Sequence, residues 1–154
     1  MSEVKLNDEL TVTIPEGFHV MDEEEQKQVF SGYSEDRWSI RDEAGNTTVS
    51  IMWNKLNFLQ AAMANLDATA AQVEQAMSRN MRDYLLTDSV SPLVGGEKSK
   101  GFCYTYSVGE EPYTGEWLAL RHKRVLYIVA YYAKNVDGEP AWEIFDRLLE
   151  TFRF

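Results

Sequence analysis

With 154 residues, 44% of them hydrophobic and 26% charged, the chain has the composition of a globular domain, with enough apolar surface to offset the entropy of ordering; a disordered chain is excluded. The net charge of −10 repels phosphate backbones and anionic headgroups, so neither nucleic acid nor a membrane surface is expected as a partner. A lone cysteine, Cys103, cannot close an internal disulfide, and the longest apolar run, Val125 to Ala133, falls well short of the ~20 residues of a membrane-spanning helix.

The acidity is uneven, with 5 basic and 14 acidic side chains over residues 1–77 against 10 and 11 over residues 78–154. The first ten residues lack a basic stretch followed by an apolar one, so no secretion signal is read and a cytoplasmic location is expected. Residues 1–154 read as a single domain, since no repeat, low-complexity tract or Pro/Gly/Ser-rich linker divides them.

In chain order, Leu10 to Ile14 alternates in strand fashion and is stopped by Pro15-Glu16-Gly17. Asp22 is placed to cap a short helix, with Glu25 three residues on and Val29, Phe30 and Tyr33 on its apolar side. A hairpin follows. A turn centred on Ala44-Gly45 pairs Ile40 with Val49 and Trp38 with Ile51, and the glycosylation-like triplet Asn46-Thr47-Thr48 falls in that turn. A short helix is read around Phe58 to Ala64. Then Thr69 and Gln72 form a capping box for a helix whose stripe runs through Val73, Ala76, Met77, Met81, Tyr84 and Leu85 and is expected to bury itself across the sheet.

Ser89 to Val94 reads as a weak strand, followed by a tight turn at Gly95-Gly96. Phe102 to Val108 and Glu116 to His122 form a pair, with a loop over Gly109 to Thr114; this register sets Tyr106 opposite Trp117 and Cys103 opposite Leu120. Val125 to Tyr132 is apolar at every position, the pattern of a central strand covered on both faces. Pro140 opens a last helix with Ala141, Ile144, Phe145, Leu148 and Leu149 on its buried stripe and a Glu143–Arg147 pair outside. Consecutive hairpins exclude a doubly wound parallel fold; the fold class is α+β, with helices on both faces of an antiparallel sheet.

This organisation resembles the PsbP-like superfamily, which takes in the extrinsic photosystem subunit, Ran-binding Mog-type proteins and many bacterial proteins of unknown function. The resemblance rests on Thr13-Ile14-Pro15-Glu16-Gly17-Phe18, the middle amphipathic helix, the run of carboxyl-terminal strands and the closing Glu150-Thr151-Phe152-Arg153-Phe154. It implies a three-layer α/β/α sandwich around a central antiparallel sheet. It also implies a binding partner, adaptor or chaperone rather than a catalyst, as in the Eag-type chaperones that shield hydrophobic segments of secreted effectors.

Chemistry-bearing motifs are sparse. No phosphate-binding glycine loop is present, so no nucleotide cofactor is expected. His19 and His122 lie far apart, and Asp22 to Glu25 lack the spacing of a calcium loop, so no metal site is read. The one nucleophilic arrangement is Cys103 with His122, which the expected register sets diagonally on one face; a small buried hydrophobe is the favoured role for that cysteine, and no catalytic residue is assigned. The strand aromatics Trp38, Trp53, Tyr104, Tyr106 and Trp117 fill either the core or an apolar surface that receives a partner. The leading expectation is a non-enzymatic module for a protein or peptide partner, held by the concave side of the sheet or its edge. A small-molecule binder or minor enzyme with a pocket between sheet and helices is the alternative, and a structural homodimer a third reading.

Overall fold

In the computed structural model, which describes residues 2–30 and 32–154, the chain opens with β1 (Ser2–Leu6), β2 (Leu10–Ile14), β3 (Phe18–Val20), α1 (Glu23–Val29), β4 (Arg37–Asp42) and β5 (Thr47–Lys55). It continues with α2 (Phe58–Met63), α3 (Leu66–Asn80), β6 (Arg82–Val90), β7 (Leu93–Val94), β8 (Glu97–Val108), β9 (Glu111–His122), β10 (Val125–Lys134) and α4 (Ala141–Glu150). The main sheet is antiparallel in the order β3-β4-β5-β10-β9-β8-β6, with β7 added on β8, while β1 and β2 form a separate hairpin. The expected α+β sandwich is present, with helices on both faces of an antiparallel sheet.

β10, apolar from Val125 to Ala133, sits at the centre, and side-chain alternation divides its residues between two layers. Tyr127, Val129, Tyr131 and Ala133 are buried on one face with Ile40, Ile51, Leu118 and Leu120. The β1–β2 hairpin and α4 close this α4 face, delivering Leu10, Val12, Phe145, Leu148 and Leu149 to the same core. At ~1.5–3 kcal/mol for each fully buried large side chain, this layer supplies most of the hydrophobic stabilisation. On the opposite face, Phe102, Tyr104, Trp117 and Ala119 lie under Leu66, Ala70, Val73 and Met77 of α3.

The 37–53 hairpin has the register read from its alternation, with Ile40 opposite Val49 and Trp38 opposite Ile51. Asp22 caps α1 by accepting from the Glu25 amide. Other expectations change. The helix expected to run through Tyr84 and Leu85 ends at Asn80 and is capped by Asn65, whose side chain accepts from the Ala68 amide, rather than by Thr69. Residues 82–90 are extended because their backbone pairs with β8, and a ladder of tertiary hydrogen bonds outweighs a local helical spacing. The stripe of α3 is only half-buried, with none of its residues fully covered.

The β8–β9 connection is a tight turn at Gly109-Glu110, with Gly109 in the left-handed region at φ 61°, and not a loop reaching Thr114. Tyr106 therefore faces Tyr113, Trp117 faces Phe102, and Cys103 faces Glu116. On α4 the exposed pair joins Arg147 to Glu139 instead of Glu143. The strand β1 was not anticipated; its turn carries Asn7 and Asp8 in the left-handed region at φ 45° and 58°.

Candidate functional site

α3 lies across β8 and β9 without sealing them. Towards the centre of the sheet the same face presents Met52 of β5 and Leu126, Ile128, Ala130 and Tyr132 of β10, which α3 leaves part-exposed. Beside α3 itself, Val73, Ala76, Met77 and Met81 line an almost wholly apolar recess of about 350 Å³. On the far side, the ring of Phe30 meets Tyr132 edge-on at 6.2 Å, and the Arg37 guanidinium lies 4.4 Å above Phe30.

A tract of tyrosines floors this face. Tyr84 stacks on Tyr104 at 5.7 Å, Tyr104 contacts Tyr106 at 5.6 Å, and Tyr106 contacts Tyr113 at 5.4 Å. Tyr104 fits because its cross-strand neighbour is Gly115; a β-carbon there would fall 2.5 Å from the phenol ring. Burial raises the Tyr104 and Tyr106 hydroxyls well above the usual range, and that of Tyr132 to about 12, where Arg41, Thr48 and Arg37 pull the other way. All remain neutral hydrogen-bonding groups at physiological pH.

The α4 face holds a different feature. Glu116 is 6% exposed, and its Oε1 accepts from the Cys103 Sγ at 3.4 Å. Burial raises the carboxyl to about 7 against the partial relief of the Cys103 hydrogen bond, with Asp146 and Asp88 adding like charge. The thiol is pushed up to about 12, first by burial and then by the Glu116 carboxylate. A thiol so held is not a nucleophile. Nor does His122 reach it: the imidazole stacks on Phe154 at 4.2 Å, with Nδ1 3.4 Å from Glu97. Glu97 is the residue of β8 level with His122, six positions from Cys103, or about 20 Å along the strand. Among the described residues, no group of three or more His, Cys, Asp or Glu side chains could hold a metal ion. A surface cleft of about 760 Å³ separates the β2–β3 turn from α4, lined by Pro15, Phe18, Ile144 and Leu148 beside the Arg147–Glu139 pair.

No family model and no curated protein matches the chain. Solved structures do. The cyanobacterial PsbP (CyanoP) of Synechocystis sp. PCC 6803 superposes with a TM-score of 0.65 at 13% identity, over 99% of this chain and 91% of that one. The Saccharomyces cerevisiae Ran-binding protein Mog1p gives 0.63 at 9% identity, covering 99% and 94%. LpqN of Mycobacterium tuberculosis, described as involved in cell envelope biogenesis, gives 0.60 at 11% identity, covering 94% and 82%. The chain has the PsbP/Mog1 fold.

At such identities the likeness is one of fold, and site residues follow from this chain's own geometry. Of the five aromatics singled out in the sequence, the PsbP/Mog1 fold brings Tyr104, Tyr106 and Trp117 together on the α3 face. Tyr104 and Trp117 are buried there, at 4% and 6% exposure, and Tyr106 is half-buried. Trp38 and Trp53 project to the α4 face and pack into that core. The residues that open the α3 face to solvent, Met52, Ile128, Tyr113 and Tyr132, were not read as a site. Their shared face depends on the pairing of β5, β10 and β9, which alternation within any one strand does not reveal.

Proposed function

We propose that this chain is a non-enzymatic, cytoplasmic protein-binding module, adaptor or chaperone-like, that holds a segment of a partner on the α3 face of its sheet. The observation that carries this reading is the incomplete cover of that face: α3 has no fully buried residue, and Ile128, Ala130, Tyr106 and Tyr132 are left part-exposed between α3 and Phe30. Grooves of this make-up, aromatic and methionine-lined with neutral hydroxyls, suit a polypeptide segment. Tyr104, Tyr106 and Trp117 form the floor, while Trp38 and Trp53 stiffen the sheet from the other side. That Mog1p is described as Ran-binding supports protein recognition as a use of this fold.

The test is quantitative affinity capture with the protein and with a Met52→Asp, Tyr106→Ala variant, alongside a Trp142→Ala control on exposed α4, each checked by thermal melting. A partner retained by the parent and the control but lost by the α3-face variant supports the reading. A partner retained equally by all three, or lost only with Trp142→Ala, overturns it.

A further inference from the structure

The strands of the α3 face carry a charge opposite to that of the molecule, while the helices laid on that face return acidic side chains, Glu23, Glu24 and Glu25 on α1 and Asp67 and Glu74 on α3. Across the paired strands, alternation places Arg37 and Arg41 of β4, Lys98 and Lys100 of β8, Arg121 of β9 and Lys134 of β10 on this face, against the single carboxylate of Glu111. The whole chain carries −10. Two of these cations are spoken for, Lys100 by Asp67 of α3 and Lys134 by Glu111. Arg37, Arg41, Lys98 and Arg121 form no ion pair among the described residues. Arg121 donates to the Ala61 carbonyl and Arg41 to that of Gly45, neutral acceptors that leave both charges uncompensated.

These cations frame the apolar floor. Arg37, Met52, Ile128 and Ala119 form one cross-strand row, so a guanidinium stands at the β4 end of an apolar strip, while Arg121 and Lys98 border the cleft under α2 and the start of α3, beside Glu97, which is paired with His122. Between Arg37 and Arg41 the hydroxyls of Ser39 and Ser50 are buried without hydrogen-bond partners.

We propose, building on the reading above, that this face takes an acidic segment of a partner polypeptide, its apolar side chains over Met52, Ile128 and Ala130 and its carboxylates meeting Arg37 and Arg41 at one margin and Arg121 and Lys98 at the other. The margins are three strand spacings apart at Arg121 and four at Lys98, so the two carboxylate positions are separated by about 15–19 Å, which is about ten to thirteen residues of helix or five to six of extended chain. A polypeptide fits better than a nucleic acid, whose evenly spaced phosphates would run from this face onto an acidic surface.

The experiment selects a displayed library of random dodecapeptides on the protein, on an Arg37→Gln, Arg41→Gln variant and on the Met52→Asp, Tyr106→Ala variant, with folding of each checked by thermal melting. The parent is expected to enrich peptides in which Asp or Glu flanks Leu, Ile, Phe or Met. A selected peptide, resynthesised with Glu→Gln one position at a time, is expected to bind about tenfold more weakly by calorimetry, the loss of one charge-assisted contact, and for at least one of those positions the arginine variant should not distinguish the two forms. Apolar peptides without acidic residues, lost with the Met52→Asp, Tyr106→Ala variant, would overturn the acidic preference and leave the α3-face reading standing. Peptides indifferent to both variants, or no peptides at all, would overturn both. Binding of a twenty-residue oligothymidylate that depends on Arg37 and Arg41 would overturn the choice of polypeptide.

Discussion

Replacing Glu116 by glutamine isolates the one carboxyl that, among the described residues, is buried within a strand of the sheet. In the folded chain the group titrates near 7, against an ordinary 4.5. The native state thus holds the proton more tightly than the unfolded chain, and the stability associated with it is complete below about pH 4.5 and lost as pH rises through about 7. A shift of this size corresponds to about 3 kcal/mol at 1.36 kcal/mol per pH unit. A glutamine at this position cannot ionise and keeps an oxygen to accept from Cys103. The two proteins should therefore be near-equal at pH 4.5, and the variant should be about 3 kcal/mol more stable at pH 8, or roughly 6–12 °C in Tm for a chain of this size. Urea titrations at half-unit intervals from pH 4.5 to 8.5 read the difference directly, since titrations shared by both chains cancel. A difference that stays constant across that range would refute the argument, because it would show that Glu116 is ionised in the fold throughout.

The same pair predicts that Cys103 resists alkylation by iodoacetamide at pH 8 in the native protein and reacts freely in urea; rapid native labelling would contradict a thiol held near 12. Gly101→Ala should cost about 3 kcal/mol or more in a urea midpoint measurement, because a β-carbon there would fall 1.9 Å from the Trp117 carbonyl oxygen, and backbone cannot give way as a side chain does. Phe145→Ala, which removes the main anchor of α4 at 1% exposure, should cost about 3–5 kcal/mol by calorimetric or chemical unfolding, and a loss below about 1 kcal/mol would show that α4 is not an integral layer.

The parts of the fold that could be read directly are those where local signals agree. Alternation on both sides of Ala44-Gly45 sets the 37–53 register, and the unbroken apolar run at 125–132 marks the central strand. Where signals compete, the reading slips. Gly109-Glu110-Glu111-Pro112 offers several turn placements, and Pro112 looks like a breaker although it sits at the start of β9, where a strand tolerates it. A turn placed over Gly109 to Thr114 sets Trp117 opposite Tyr106 where Tyr113 lies, and Leu120 opposite Cys103 where Glu116 lies. Tyr84 and Leu85 satisfy the helical spacing of the preceding stripe as well as an extended alternation, and only pairing with β8 decides between them. For the site, the rings were legible as strand residues, but their division between faces, and the cations beside them, emerge from the pairing of distant strands.

One junction governs how this molecule would register an occupant. α3 passes into the edge strand β6 through Met81 alone, whose amide still bonds back to the Met77 carbonyl. Helix and strand therefore behave as a crank with no slack between its arms. A displacement of α3 by a body against Val73 and Met77 would be passed directly to the start of Arg82–Val90, whose pairing with β8 is interrupted by two register shifts. The outermost strand becomes a gauge of what lies beneath the helix, and its amide protons, exchanging with solvent at the rim of the sheet, would report filling of the groove from outside it.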